Sequence, residues 1–331
     1  MAETIHVEQF RDFASAIESE VGKVIVGQNE VVRHVLVSIL CGGHVLLEGV
    51  PGLGKTMLIR TLGEVLDLKF SRIQFTPDLM PADITGTEIL LDLDGRREFR
   101  FQPGPVFANL VLADEINRAT PKTQSSLLEA MQEHSVTVAE KTYRLEEPFF
   151  VLATQNPIEM EGTYPLPEAQ LDRFFFKVNV PFPSTSELVE ILNRTTGSDT
   201  PAIKAVISGE QILSMRDLAR QVPMPSQVGE YVSRLVVATH PGSAGATAPV
   251  TQFVRYGSSP RGGQAMILGA KVTALLDGRY NVSFEDVEKV APAALRHRLI
   301  LNFEGLAEGI QPDSIIADLL KNIPKLEGIK V

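Results

Sequence analysis

The sequence predicts an α/β protein: a parallel β-sheet with helices on both faces, followed by a helical domain. Three observations point there. Short apolar runs alternate with helical periodicity through the first half of the chain, the pattern of a sheet covered on both sides. One of these runs, His44-Val45-Leu46-Leu47-Glu48, passes into Gly49-Val50-Pro51-Gly52-Leu53-Gly54-Lys55-Thr56-Met57 and on into helical spacing, so a strand and a helix flank the pattern G-x-x-x-x-G-K-[ST]. Beyond Pro181-Phe182-Pro183-Ser184 the strand pattern stops and helical runs take over. The chain therefore divides into a sheet domain over 1–184, a linker over 185–207 and a helical domain over 208–331.

In order, Phe10, Phe13, Ala14, Ile17 and Val21 recur at helical spacing over Gln9 to Gly22. Val24 to Gln28 form a turn, and a second helix starts at Asn29. After the glycine-rich loop and its helix, Phe70 to Phe75 alternate as a strand, and a polar loop runs through Asp78, Asp83 and Gly86. Ile89 to Leu93 and Arg96 to Phe101 flank Asp94-Gly95, a hairpin signal. Leu110 to Ala113 form a buried strand ending at Asp114-Glu115, followed by a helix over Lys122 to Glu133. A second hairpin spans Val136 to Leu145. Phe149 to Ala153 form a strand ending at Gln155-Asn156-Pro157, and Phe174 to Val178 form another. In the helical half, Ser208 with Gln211 marks a capping box for a helix to Gln221. Further helices are expected over about 226–239, 260–276, 283–299 and 312–322, with the longest loop from Pro241 to Ser259.

The glycine-rich loop is where chemistry is expected. Gly49, Gly52 and Gly54 let successive backbone N–H groups face one point, and the following helix aims its positive dipole end there, which favours a bound phosphate. Lys55 can then reach the β and γ phosphates of a nucleotide, and the Thr56 hydroxyl can bind Mg²⁺. In such sheets nucleotides bind at the carboxyl ends of strands, where Glu48, Asp114 and Asn156 all fall. Asp114-Glu115 fits a metal-and-base pair: Asp114 can hold hydrated Mg²⁺ while Glu115 polarises an attacking water. Asn156 can hydrogen-bond that water or the γ-phosphate, or simply form an Asn-Pro turn. Arg173 can act as an arginine finger on a neighbouring subunit, or pair with Glu168 or Asp172. Arg261 follows Ser258-Ser259-Pro260, a helix cap and first-turn proline, so its cation lies near the positive end of a helix unless a phosphate offsets it. Arg96, Arg97, Arg100, Lys141 and Arg144 on the hairpins read chiefly as solvated charges.

Composition narrows the function classes. At 331 residues with 44% apolar and 22% charged residues the chain can build a sizeable core. Its net charge, 31 − 41 = −10, gives no global attraction to nucleic acid or anionic lipid. There is no signal-peptide pattern at the start and no apolar run near 18 residues, so a cytoplasmic protein without a membrane span is expected. The single Cys41 falls in a helical stretch and reads as a buried thiol.

Taken together these motifs resemble the AAA+ ATPases, and specifically the MoxR family. The resemblance rests on Phe75-Thr76-Pro77-Asp78-Leu79, Gly104 to Asn109, Ala113-Asp114-Glu115-Ile116-Asn117-Arg118, Thr154-Gln155-Asn156-Pro157-Ile158-Glu159 and the long run Glu161 to Phe174. It implies a five-stranded αβα core with an all-α lid and two insertion hairpins. It also implies that Asn156 is the first sensor, Arg173 the finger and Arg261 the second sensor, with Val26 and Gly27 near the adenine of ATP. Its members are thought to form hexameric rings and to act as chaperone-like ATPases that mature or activate protein complexes, often with a partner bearing a von Willebrand factor A domain. Competing readings are a nucleic-acid translocase, against which the acidic balance argues, and a magnesium-chelatase-type motor subunit.

Overall fold

Two amphipathic helices open the chain, α1 (Val7–Gly22) and α2 (Asn29–Cys41); Phe10, Ala14, Ile17 and Val21 on the first and Val32, Val35, Leu36 and Ile39 on the second recur at helical spacing and are buried. The structure, a computed structural model, describes residues 5–93, 96–156, 162–197 and 201–326. The Asp94-Gly95 turn, the Pro157 to Glu161 part of the family motifs and residues 198–200 of the linker lie outside the described residues.

The sheet domain continues with β1 (Val45–Glu48), α3 (Lys55–Val65), β2 (Phe70–Gln74), α4 (Pro81–Thr85), β3 (Gly86–Leu93), β4 (Arg96–Pro103), β5 (Leu110–Asp114), α5 (Pro121–Glu133), β6 (Ser135–Val138), β7 (Lys141–Arg144), β8 (Phe150–Gln155), α6 (Glu168–Leu171) and β9 (Phe176–Asn179). Five of the strands make a parallel sheet in the order β2-β5-β8-β1-β9. Side-chain alternation splits the core in two: Val45 and Leu47 face a cluster shared with α1, α2 and α3, whereas Leu46 faces one with Leu127 and Leu128 of α5. Both hairpins form where the sequence predicts them, β3 with β4 and β6 with β7. They meet where Phe101 stacks on Tyr143 with ring centroids 4.0 Å apart. The polar loop expected from Asp78 to Gly86 instead contains α4, begun by Pro81 at a first-turn position.

Buried His44, just before β1, ties three elements together. Its Nδ1 accepts from the Val151 amide at 3.0 Å, which leaves Nε2–H to donate to the Met131 carbonyl at 3.0 Å. Burial pushes its pKa down from the ordinary 6.5 to about 4. A histidine whose folded pKa is depressed contributes stability that is full above about pH 6.5 and is lost as pH falls toward 4, here about 2–3 kcal/mol. Buried His297 is shifted down for the same reason and adds in the same direction. Urea midpoints are therefore expected to fall between pH 6.5 and 4.5; a flat profile over that window would remove His44 from this role.

After β9 come α7 (Thr185–Thr196), α8 (Gly209–Gln221), α9 (Ser226–Ala238), α10 (Ala248–Phe253), β10 (Val254–Tyr256), α11 (Pro260–Leu276), α12 (Phe284–Leu295), β11 (Ile300–Leu301), α13 (Phe303–Ala307) and α14 (Pro312–Asn322). The fold differs from the sequence expectations in this half. The stretch read as a linker from 185 holds a 12-residue helix, α7, started by the reciprocal Ser184 and Glu187 capping box. The loop expected over 241–259 contains α10 and β10, and β10 pairs with β11, one short strand pair within the expected helical lid. The lid grips the sheet domain through Arg296-His297-Arg298. Arg296 donates to the Lys177 carbonyl at 3.0 Å, His297 bonds the Phe174 carbonyl at 3.0 Å, and Arg298 donates to the same Phe174 carbonyl at 2.8 Å and to Asp172 Oδ1 at 2.8 Å. No helix of the described residues is long and apolar enough to cross a membrane.

Candidate active site

The glycine-rich loop lies between the end of β1 and the start of α3. Gly52 and Gly54 adopt φ of +85° and +74°, left-handed values that disfavour any side chain, and Gly54 caps α3. The first amides of α3 thus open onto a cavity of about 530 Å³ lined by Pro51 to Met57, Arg60, Arg72, Gln74, Asp114, Glu115 and Asn156. Lys55 is folded back, its Nζ donating to the Gly49 carbonyl at 2.6 Å. Burial lowers its pKa below the ordinary lysine value, while Asp114, Glu115 and Glu48 oppose that shift. An ammonium and a helix N-terminus that converge on one half-open cavity fit a polyphosphate.

Across the cavity the acidic pair is held by a network that runs along the strand ends. Thr154 on β8 donates from Oγ1 to Asp114 Oδ1 at 2.7 Å and accepts the Glu115 amide at 2.8 Å. Glu115 sits at φ +56°, which turns its side chain out of the strand. Its Oε2 accepts from Gln74 Nε2 at 2.9 Å and from Arg118 Nη1 at 2.9 Å. Arg72 pairs with Asp114 Oδ2 at 2.7 Å, so a cation already stands against that carboxylate. A hydroxyl at Thr56 and a carboxylate at Asp114 on one cavity form an oxygen donor set suited to Mg²⁺, which keeps several waters and takes few protein ligands. Buried Asn156 closes the far wall. Glu48 ends β1 in an ion pair with Lys177 at 2.5 Å.

Arg173 and Arg261 do not line this cavity. Both line a second cleft of about 420 Å³ between the sheet domain and the lid, together with Asp172, Arg298 and His134. Arg173 makes no ion pair with Glu168 or Asp172; its Nη1 donates to the Leu128 carbonyl at 3.0 Å. Asp172 serves the lid instead, accepting from Ser259 Oγ at 2.9 Å and lying 3.7 Å from Arg261 Nη1. Ser259 caps α11 and Pro260 begins it, as the sequence indicates, but the counter-charge near Arg261 within one chain is Asp172. Val26 and Gly27 are not on the cavity wall either. Their turn is joined to the phosphate loop through Gln28, whose Nε2 donates to the Leu53 carbonyl at 2.9 Å. Buried Cys41 carries a thiol that burial pushes far above its ordinary pKa, which leaves it unreactive.

Sequence reasoning missed Arg72, Gln74 and Thr154. The period-two spacing of Arg72 and Gln74 places them on one face of β2, a legible signal. That this face borders the acidic pair depends on β2 lying beside β5, with Gln74 opposite Asp114 in register.

A parallel sheet with a phosphate loop after β1, an acidic pair after β5 and a helical lid defines an α/β P-loop NTPase. Residues 44–176 match the "ATPase family associated with various cellular activities (AAA)", and residues 248–319 match the AAA lid domain. Chaperone MoxR1 of Mycobacterium tuberculosis is 46% identical over 304 residues, covering 92% of this chain and 80% of that one. Protein MoxR of Paracoccus denitrificans is 34% identical over 328 residues, covering 93% and 94%. The crystal structure of a putative ATPase from Cytophaga hutchinsonii aligns at a TM-score of 0.90 with 41% identity, over 96% of each chain. The chain belongs to the MoxR family of AAA+ ATPases, and it is an ATP hydrolase.

Proposed function

We propose that this chain works as a ring, hexameric as the family resemblance implies, in which Mg-ATP hydrolysis drives chaperone-like remodelling or maturation of protein complexes. One observation carries the ring: the phosphate loop, Asp114, Glu115 and Asn156 share one cavity, while Arg173 and Arg261 line another. A site of this kind is completed by a second copy, whose arginine-bearing cleft meets the phosphate-loop cavity of the first. Such contact is heterologous, the kind that makes a ring when the rotation between copies closes. Exposed apolar groups on two separate sets of elements favour it: Leu188, Val189 and Leu192 on α7, and Tyr256, Phe303 and Leu306 on the lid. The name Chaperone MoxR1 carried by a relative supports the chaperone role, and the resemblance adds a partner with a von Willebrand factor A domain.

In this reading the loop amides and Lys55 bind and orient the β and γ phosphates, and Thr56 and Asp114 hold Mg²⁺. Bound Mg²⁺ supplies charge neutralisation on the phosphate oxygens. Glu115 accepts the proton of the attacking water, Asn156 orients that water, and Arg173 of the neighbour stabilises the charge that develops on the transferring phosphoryl group. The test is phosphate release from ATP. Hydrolysis is expected with Mg²⁺ and is expected to stop when EDTA removes the metal; an EDTA-resistant rate, or no hydrolysis in Mg²⁺, would overturn the assignment.

A further inference from the structure

Sheet order, with the γ-phosphate assigned to Asn156 and Glu115, gives a bound nucleotide a direction. β1, with the phosphate loop at its end, has β8 and β5 on one side and β9 on the other. Asn156 comes directly after β8 and Glu115 directly after β5, so a γ-phosphate directed at them leaves the base pointing toward the end of β9. There the chain passes through Val180, whose amide bonds the Glu48 carbonyl at 2.8 Å, and then enters α7. The turn at Gly27 reaches the same side, since Gln28 is bonded to Leu53 of the loop.

Glu187, in the first turn of α7, lies directly over Gly27. A β-carbon placed on Gly27 would fall 2.2 Å from Glu187 Oε1, 2.3 Å from Cδ and 2.7 Å from Cγ, and Gly27 has φ +73°. At that φ a side chain is strained, and a β-carbon would push this carboxylate aside. The two oxygens do different work. Oε2 accepts both the amide and the hydroxyl of Ser184, each at 2.7 Å, which completes the helix cap. Those bonds hold the carboxyl below its ordinary pKa, so it is an anion. Oε1 accepts no hydrogen bond among the described residues and faces the Gly27 turn. Capping alone needs only Oε2. Yet α7 buries none of its residues and is otherwise tied down by Arg194, which donates to the Gly22 and Lys23 carbonyls at 3.1 and 2.7 Å.

We propose that Glu187 Oε1 reads the purine base, accepting a hydrogen bond from the 6-amino group of adenine over the Gly27 turn. This rests on the assignment of the phosphate loop to a nucleotide. An amino group at position 6 donates to the carboxylate, whereas the 6-oxo group of hypoxanthine or guanine sets one acceptor against another. A carboxylate with both oxygens free can accept guanine's N1–H and 2-amino group together, but Ser184 has already taken Oε2. Hypoxanthine N1–H can also donate to Oε1, but only with the base edge displaced from the pose that meets a 6-amino group, so a base tethered by its phosphates binds best when position 6 carries an amino group.

Equilibrium binding of ADP and inosine diphosphate to the full chain in Mg²⁺ tests this without hydrolysis. The wild type is expected to favour ADP by about tenfold or more, the scale of one acceptor left facing another. Glu187→Gln retains the capping box, because glutamine serves at that position, but offers an amide that can donate to the 6-oxo group. The preference should then collapse toward parity. Glu187→Asp, which withdraws the free oxygen by one methylene, should also narrow it. A wild type that does not discriminate, or a ratio unchanged in both folded variants, overturns the base-reading role alone. A wild type that binds neither diphosphate overturns the nucleotide assignment beneath it as well.

Discussion

Glu115→Gln is expected to bind Mg-ATP as the wild type does and to turn it over roughly 10²–10⁴-fold more slowly, the usual contribution of a positioned general base. The geometry separates the two functions. Glu115 touches Gln74, Arg118 and Thr154, whereas the groups proposed to hold phosphate, Lys55 and the first amides of α3, belong to a different strand end. The amide is isosteric and its oxygen can still accept from Gln74 and Arg118, so the network should survive. Calorimetry with Mg-ATP alongside single-turnover phosphate release distinguishes the outcomes. Turnover near the wild-type rate would make Glu115 a strand-end carboxylate and move the base elsewhere.

The sheet domain is legible in the sequence because its signals are local. The apolar runs at Val45, Leu110 and Phe150 are too short for helices, and the glycines of the phosphate loop mark a turn that no other pattern explains. What sequence does not supply is adjacency. Thr154 looks like an ordinary strand residue until β8 is seen beside β5, where its hydroxyl holds Asp114 and its neighbour. Likewise Asp172 reads as a partner for Arg173, the adjacent residue, but the fold brings Arg298 from 126 residues away and gives Asp172 to the lid. Helix α7 differs, because its signals are present in the sequence: Ser184 and Glu187 spell a capping box, and Leu188, Ile191 and Leu192 recur at helical spacing. The Gly, Ser and Thr residues just beyond it resemble a linker and mask those signals.

In the proposed ring the active site would be shared between neighbouring subunits. Losing the Arg173 guanidinium is then expected to cost on the order of 10³-fold or more in hydrolysis, the scale of an arginine finger, while ATP binding persists. The fold should tolerate Arg173→Ala, because within one chain this side chain gives its hydrogen bond to the Leu128 carbonyl and the lid is held by Asp172 and Arg298. Mixing Arg173→Ala with Glu115→Gln tests the claim most directly. Each variant alone is nearly inactive, but a cavity with the Glu115 of one and the Arg173 of the other is whole again. In randomly assembled rings with equal amounts, about a quarter of interfaces have that pairing, by counting around a closed ring. Hydrolysis is predicted to reappear on mixing and to stay absent when the two variants are assembled separately. Rings shown to be mixed that remain as inactive as either parent would contradict a shared site.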